Sequence, residues 1–184
     1  MNFKSPTLNA YKLRKFREED LYKVVSINRL CLPENYTSSF FLELYKSYPE
    51  TFLVAEFGDD VIGYVTCRVE FGFSELHRFK VARKGHVVSI AVLQEHRLRG
   101  LGTALMLAAL RGMTHYDCAE TFLEVRAGNT NAINLYNKLG YKVTRTVSSY
   151  YFDGEDAAMM SRKLPLKPEE MDLFRKSSST VEQK

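Results

Sequence analysis

Glu124 is the residue of this sequence whose position most needs a chemical explanation. It lies in a predicted strand over residues 121–126, where strand periodicity places it on one face with Phe122 and Arg126. Burying a carboxylate costs free energy unless a partner compensates it, so a lone glutamate within the apolar run TFLEV indicates a functional role. His86, at the start of the neighbouring predicted strand, is the candidate partner. These two ligands could hold a stray divalent ion, but without a third they do not make a catalytic metal site.

The second candidate for chemistry is a basic, glycine-containing loop between a short apolar strand and a helix. This order of elements points backbone N–H groups and the positive end of a helix dipole at one place, so it predicts a phosphate site. Two glycines let the backbone approach a ligand closely, and two arginines add positive charge. This phosphate loop consists of Arg97, Leu98, Arg99, Gly100, Leu101, Gly102 and Thr103.

Two common nucleotide-binding motifs do not fit the phosphate loop. A Walker loop requires G-x-x-x-x-G-K-[ST], and neither Lys-Ser nor Lys-Thr follows these glycines. The dinucleotide fingerprint requires a third glycine where this chain has Leu105. It should also open the fold, whereas the loop lies past the midpoint of the chain. The loop therefore predicts a phosphate-bearing ligand of another class.

The hydrophobic pattern predicts the elements that would position these residues. The predicted order is β-α-α-β-β-β-α-β-α-β-β, a mixed α/β domain with roughly seven strands and four helices. Residues 72–84 are expected to be an irregular connection. We expect a lead-in at residues 1–10, one domain at 11–165 and a charged, flexible tail at 166–184, in which 168–176 could form a helical turn or two. The predicted strands cover residues 11–16, 51–57, 61–71, 86–92, 121–126, 141–151 and 157–164, and the predicted helices begin at Leu21, at a cap formed by Ser38 or Ser39, at Leu101 and at Asn131.

Composition and charge restrict the class of protein. With 184 residues, 45% of them hydrophobic and 26% charged, a single soluble globular domain is expected. The formal net charge of +4 is too small to indicate nucleic-acid binding. No apolar run approaches the roughly 18 residues of a membrane span. The three cysteines lack the spacing of a metal or redox site and the N-terminus lacks an apolar signal segment, so a cytoplasmic protein is expected.

The phosphate loop and a second motif together resemble a known family. After the strand Val88–Val92 the loop reads R-x-x-G-x-G, which is similar to the [QR]-x-x-G-x-[GA] motif of the GCN5-related N-acetyltransferase (GNAT) family. About 30 residues later, NTNAINLYNKLGY at 129–141 is similar to that family's N-x-x-A-x-x-L-Y-x-x-x-G-[FY] motif. Because both motifs occur in the family's order, the chain is identified as a member, with the resemblance extending from Tyr11 to Leu164.

This resemblance implies a fold, a cosubstrate and a set of cofactor contacts. The fold is the α/β GNAT fold, with a mixed, mostly antiparallel sheet, and the cosubstrate is acetyl-CoA. The phosphate loop would hold the CoA pyrophosphate, and N–H donors around Ile90–Val92 would stabilise an oxyanion. Tyr136 matches the family tyrosine near the CoA sulfur, a general acid, and Asn131 would bind the pantetheine arm. Besides the phosphate loop, the implied cofactor contacts are Ile90, Ala91, Val92, Asn131, Tyr136 and Lys138.

Two further stretches resemble protein N-terminal α-acetyltransferases, most closely the NatA-type catalytic subunits and their archaeal relatives. They are LPENY at 32–36 and YYFDGEDA at 150–157, which in that family flank the peptide groove. The resemblance implies acetylation of protein N-termini, with nascent chains as possible substrates. An auxiliary subunit is possible but not required. The implied substrate contacts are Leu32, Glu34, Tyr36, Arg126, Tyr150 and Tyr151.

The identity of the general base stays open at this point. A peptide α-amine, with a pKa of about 7.7–8.0, is mostly protonated at neutral pH and must lose a proton before it can attack. In relatives the positions of His86 and Glu124 face the amine, and animal enzymes often carry histidine at the position of Glu124. We predict Glu124 as the base, assisted by His86 and water, with Glu34 orienting the amine or acting as an alternative base.

Two other kinds of function are weighed against N-terminal acetylation. A GNAT enzyme could instead acetylate a ribosomal protein, a lysine side chain or a small amine, and the two peptide-loop matches disfavour these substrates. A non-catalytic acyl-CoA-binding subunit is disfavoured because Glu34, Glu124 and Tyr136 are all present.

Overall fold

Runs of alternating apolar residues build one sheet, and amphipathic segments cover both of its faces. The computed structural model describes residues 10–77, 79–167 and 169, and within them lie seven strands and four α-helices. The strands are β1 Tyr11–Lys15, β2 Leu53–Phe57, β3 Asp60–Phe73, β4 Val81–Val92, β5 Glu120–Arg126, β6 Lys142–Val147 and β7 Ala157–Lys163, and the helices are α1 Leu21–Cys31, α2 Ser38–Ser47, α3 Leu101–Thr114 and α4 Thr130–Lys138.

The sheet is mixed and mostly antiparallel. Its strand order is β1-β2-β3-β4-β5-β7-β6, and among these pairs only β4 and β5 run parallel. A parallel pair needs a long crossover, and α3 supplies it between β4 and β5. The α/β architecture with seven strands and four helices predicted from the sequence is confirmed.

Each face of the sheet carries its own hydrophobic core. On one face α3 contributes Leu105, Met106, Leu110 and Met113, and α4 contributes Tyr136. On the other face α1 and α2 pack against β2 to β4 through a second cluster, which combines aliphatic side chains with several aromatic rings. Its rings include Phe16 stacked on Phe52 at 4.0 Å and Phe41 edge-on to Tyr64 at 5.7 Å. The sheet is therefore held from both sides and forms a rigid base for side chains at its ends.

Local chemistry sets the helix ends. The Thr37 hydroxyl caps α2 by accepting the N–H of Phe40, so the cap is neither Ser38 nor Ser39 as predicted. The Asn129 side chain caps α4 by accepting the N–H of Ala132 at 3.1 Å. α3 begins after Gly100, whose φ of 82° lies in the left-handed region that glycine adopts without strain.

Two predicted boundaries were wrong. The irregular connection at 72–84 is shorter, because β3 runs to Phe73 and β4 starts at Val81, so the two strands form a long hairpin. Cross-strand pairing of apolar side chains overrides the polar composition there. The predicted strand 141–151 ends at Val147, because pairing with β7 stops at Ala157 and a loop follows.

The prediction for the two termini mostly lies outside the described residues. This holds for residues 1–9 of the lead-in and for all of the tail except 166, 167 and 169. None of the helices in the described parts of the chain is both long enough and apolar enough to cross a membrane.

Candidate active site

The parallel pair β4 and β5 separates within the sheet. The two strands pair only from Lys84 to His86 and from Glu120 to Phe122, although β4 continues to Val92 and β5 to Arg126. A register shift in β4, where Val88 has no partner on β3, bends this strand at the same place. In the cleft between the diverging strands, backbone donors and acceptors of β4 are therefore not paired with β5. Such groups need another hydrogen-bond partner.

Polar side chains gather where the α1–α2 layer stops covering the sheet. That layer covers Tyr64 of β3 and Ala91 of β4. Further along the same face, β3 presents Arg68 and Glu70, and β4 presents Lys84 and His86, by strand periodicity and register. The uncovered end of this face is consequently charged, and it lies beside the cleft.

His86 stands at the last paired position before the strands separate, and it joins two carboxylates. Its Nε2 lies 2.7 Å from Oε2 of Glu124, which is on the diverging part of β5. Its Nδ1 lies 3.2 Å from Oε1 of Glu70 on β3. The imidazole stacks on Phe122 with ring centroids 4.4 Å apart. The predicted pairing of His86 with Glu124, and the shared face of Glu124 and Phe122, are thus observed.

The phosphate loop has the geometry of an anion site. The first intrahelical bond of α3 is from the N–H of Ala104 to the carbonyl of Gly100, and no side chain caps the helix. The N–H groups of Leu101, Gly102 and Thr103 therefore have no helical acceptor. The Arg97 Nε donates to the Val92 carbonyl at 2.8 Å, which ties the loop to the end of β4. This arrangement fits a pyrophosphate group.

Helix α4 borders the cleft with its own predicted cofactor residues. Tyr136 is buried and packs against Tyr141, and burial raises the pKa of Tyr136 to about 12, so its hydroxyl keeps its proton at neutral pH. Asn131 lies exposed in the first turn, and Lys138 lies exposed at the last residue of the helix. Seven residues at about 1.5 Å each separate the latter two by about 10 Å along the axis, so they cannot contact the same part of a ligand.

Arg126 joins the two loops that were predicted to border the substrate. One nitrogen of its guanidinium lies 2.6 Å from Glu34 in the α1–α2 connection. Another lies 2.7 Å from both Asp153 and Glu155 in the β6–β7 connection. The guanidinium also lies over the ring of Tyr151, 4.1 Å from its centroid. The predicted residues Glu34, Arg126 and Tyr151 are thus brought together beside the cleft.

The remaining predicted substrate residues lie around the same carboxylates. Burial raises the pKa of Tyr36 and of Tyr150, and the charges of Glu34 and Glu124 add to the effect at both hydroxyls. Leu32 is the C-cap residue of α1 and packs, partly buried, against the hydrophobic core beneath α1 and α2.

Three residues of this region were not predicted. Glu70 and Arg68 bond to each other at 2.7 Å beside His86. Their signal was present, because they are two charged residues in alternation within a largely apolar strand. Buried Asn28 holds the α1–α2 connection by donating to the Glu34 carbonyl and accepting the Tyr36 N–H. Its signal was weak, because a polar residue at a helical core position has no spacing that marks it.

Among residues 10–77, 79–167 and 169, no group of three or more histidine, cysteine, aspartate or glutamate side chains is arranged to hold a metal ion. Binding of a stray divalent ion by His86 and Glu124 stays a prediction.

Comparison with known proteins identifies similar sequences and structures. The sequence profile of the acetyltransferase (GNAT) family matches residues 21–141. An N-alpha-acetyltransferase of Sulfurisphaera tokodaii is 47% identical over 156 residues, which cover 84% of this chain and 93% of that protein. The catalytic subunit of the N-terminal acetyltransferase A complex of Arabidopsis thaliana is 39% identical over a match that covers 83% of this chain and 77% of that protein. A solved structure of the NatB acetyltransferase complex bound to CoA and MES contains a chain that is 30% identical. Its TM-score is 0.70, and the match covers 84% of this chain and 99% of that chain.

Proposed function

Because the chain belongs to the acetyltransferase (GNAT) family, we propose that it transfers the acetyl group of acetyl-CoA to the α-amino group of protein N-termini. The observation that carries this proposal is the joining of both peptide-flanking loops to β5 by Arg126, directly beside the His86–Glu124 pair. The family and the N-acetyltransferase class predicted from the sequence are confirmed by the similarity to N-terminal acetyltransferases over most of both chains.

The phosphate loop and α4 hold the cosubstrate in this proposal. The free N–H groups at the start of α3, with Arg97, Leu98 and Arg99 around them, bind the pyrophosphate. Asn131 binds the pantetheine arm, and Lys138 contacts a more distant part of the cosubstrate. The CoA-bound relative, whose chain is matched over nearly its full length, supports this assignment.

Glu124 removes the first proton of the substrate ammonium, with His86 sharing it. A carboxylate and an imidazole 2.7 Å apart hold a proton between them, and the pair lies at the mouth of the cleft. Glu34, ionically paired with Arg126, orients the ammonium through charge. This proton finally leaves to solvent, which balances the reaction, because an ammonium and a thioester yield a neutral amide, a thiol and one proton.

The freed amine then attacks the thioester carbonyl. The N–H groups of β4 around Ile90, Ala91 and Val92, left without a partner strand on the β5 side, stabilise the developing oxyanion. When the C–S bond breaks, the hydroxyl of Tyr136 protonates the departing thiolate. The pKa of Tyr136, about 12, keeps its acid form available. The second proton lost by the amine nitrogen then reprotonates the Tyr136 oxygen.

The substrate chain enters between the two loops. Tyr36 and Leu32 from the α1–α2 connection form one wall, and Tyr150 and Tyr151 from the β6–β7 connection form the other. Their aromatic rings offer apolar contact to the first side chains, and their hydroxyls offer hydrogen bonds to peptide backbone.

The cellular setting is a further part of the proposal. Protein N-termini, nascent chains included, are the partners, and the reaction takes place in the cytoplasm, where the three free cysteines stay reduced. The similarity to subunits of acetyltransferase complexes is compatible with an auxiliary subunit, but the site is assembled within this one chain.

A peptide panel tests the proposal. Purified protein is incubated with acetyl-CoA and peptides that differ only in residues one and two, and acetylated positions are mapped by mass spectrometry. The matched control is each peptide with its α-amine blocked and one internal lysine left free. We expect acetylation of free α-amines and none of the blocked peptides. Equal acetylation of the blocked peptides would instead identify a lysine acetyltransferase, and acetylation of neither set would contradict the proposal.

A further inference from the structure

Glu70, which neither the family motifs nor the sequence analysis singled out, lies on the far side of His86 from Glu124. The imidazole, on β4, therefore lies between two carboxylates on the strands at either side. It is 3.2 Å from Glu70 on β3 and 2.7 Å from Glu124 on β5. Resting on the proposed function, we propose that Glu70 is a positioning residue that fixes the tautomer of His86 and so prepares the His86–Glu124 pair to accept the substrate proton.

Stacking and two polar contacts hold the ring of His86 in its observed orientation. It stacks nearly parallel on Phe122, at 12° between ring planes, and the ammonium of Lys84 lies 4.8 Å from the centroid of the Phe122 ring. The His86 side chain is 10% exposed. Because each ring nitrogen faces one carboxylate in this orientation, the tautomer depends on which of the two contacts holds the proton.

Counting protons assigns the two nitrogens. An ionised carboxylate only accepts hydrogen bonds, so each short contact between a ring nitrogen and a carboxylate needs one proton. Burial opposes ionisation of Glu70, but its hydrogen bond from Arg68 and the neighbouring His86 outweigh burial and lower its pKa. Glu70 is therefore ionised at neutral pH, and the proton on its side resides on Nδ1. Nε2 is then the nitrogen whose proton is exchanged with Glu124.

This assignment prepares the pair to accept a proton. The 2.7 Å contact between Nε2 and Glu124 is the geometry of the pair with its proton in place, and when that proton is absent the facing lone pairs repel each other. Accepting one proton from the substrate ammonium removes the repulsion, and the negative charge of Glu70 stabilises the protonated ring. The same proton returns to solvent after product leaves, and no other bond changes in this step.

Glu70 is suited to a supporting role rather than to contact with substrate. Its side chain is 31% exposed, against 12% for Glu124, so water and Arg68 keep it charged throughout turnover. The other charged or titratable groups that face the pair are Glu34 and Tyr36 from the α1–α2 connection, Arg68 from β3, Lys84 from β4, and Tyr150 and Tyr151 from the β6–β7 connection.

The test compares Glu70→Gln with the wild-type protein by two readouts. In the acetylation assay we expect kcat/KM for the peptide to fall about tenfold, with acetyl-CoA affinity unchanged, and the acidic limb of its pH profile to move to lower pH. In nitrogen-15 NMR spectra of labelled histidine, we expect Nδ1 of His86 to carry a proton in the wild type and to lose that preference in Glu70→Gln. A residue that only stabilised the fold would move neither the limb nor the tautomer.

Two matched variants complete the design. Glu56→Gln removes a carboxylate of β2, the strand next to β3, that is paired with Arg14 of β1, and both readouts should stay at wild-type values. Glu70→Asp keeps the charge but shortens the side chain, so its pH limb should lie between those of the wild type and Glu70→Gln. If circular dichroism shows that Glu70→Gln folds poorly, Glu70→Asp takes its place as the deciding variant.

The inference is overturned if Glu70→Gln, or Glu70→Asp in its place, leaves the pH limb unmoved, or if Nδ1 keeps its proton without the Glu70 carboxylate. If the wild type acetylates no peptide, the proposed function fails, and the histidine spectra still decide the tautomer separately.

Discussion

Glu34 and Arg126 lie 92 positions apart in the sequence and are joined by a 2.6 Å ion pair. The same guanidinium binds Asp153 and Glu155, whose pKa values lie below the usual range because backbone N–H groups and then Arg126 stabilise their charges. We call the contacts of Arg126 with Glu34, Asp153 and Glu155 the Arg126 brace. Its carboxylates Asp153 and Glu155 are thus ionised at neutral pH. Strand β5 carries both this brace and Glu124, so the geometry of the two loops and the position of the candidate base are set by one strand.

We expect Arg126→Lys to impair use of the peptide while leaving acetyl-CoA affinity intact. A lysine keeps the charge but cannot bond several carboxylates at once through a planar fork, so the two loops lose their common anchor. The KM for the peptide should rise about tenfold with a smaller change in kcat, measured by steady-state kinetics. Arg145→Lys is the control, because Arg145 is exposed and lies 3.9 Å from its nearest carboxylate. An unchanged peptide KM in Arg126→Lys would refute the brace.

Glu124→Gln should lower kcat at least about tenfold, because the amide cannot accept the substrate proton. Its shape is retained, so acetyl-CoA should bind as it does to the wild type, and isothermal titration calorimetry checks this. The same calorimetry shows that the variant is folded. Turnover that stays at the wild-type level between about pH 6 and pH 9 would remove Glu124 as the base.

Gly100→Ala should weaken acetyl-CoA binding more than it weakens the fold. At a φ of 82° an alanine is strained by about 1–2 kcal/mol, and relief of this strain would turn the N–H groups that start α3 away from the pyrophosphate. The control is Gly58→Ala, at a φ of 60° in the β2–β3 turn, which has a similar strain but lies outside the site. Acetyl-CoA affinity should fall in the first variant and not in the second. Equal affinities would contradict the phosphate-loop assignment.

Asp20→Asn should destabilise the protein in a pH-dependent way. Burial opposes ionisation of Asp20, but the hydrogen bonds from Arg14 and from the Arg17 N–H outweigh it and lower its pKa. Because the folded-state pKa is depressed, the stabilisation is present above the unfolded value of about 3.9 and is lost as the pH falls through the folded value. Urea unfolding should show a difference of about 2 kcal/mol at pH 7 that narrows below about pH 4. A difference independent of pH would show that the ionised pair is not its cause.

The sequence alone determined the order of elements, the phosphate loop and the family. These follow from local chemistry, because strand and helix periodicity and a glycine-punctuated loop are properties of neighbouring residues. Strand parity even placed Glu124 beside Phe122 on one face, which the structure shows. The ends of the strands were less well determined by the sequence. β4 is longer than predicted by Val81 to Gly85, because these residues pair with β3, and such pairing is not encoded within the strand itself.

Only the tertiary structure decided which charged residues act together. Glu70, His86 and Glu124 come from three strands, and Glu34, Arg126 and Glu155 from three separate segments, so no spacing along the chain links them. Their ionisation depends on burial and on distances of about 3 Å, and both are properties of the assembled sheet. The sequence therefore identified the chemistry that the chain can perform, while the divergence of β4 from β5 and the brace at Arg126 decided where the groups for it meet.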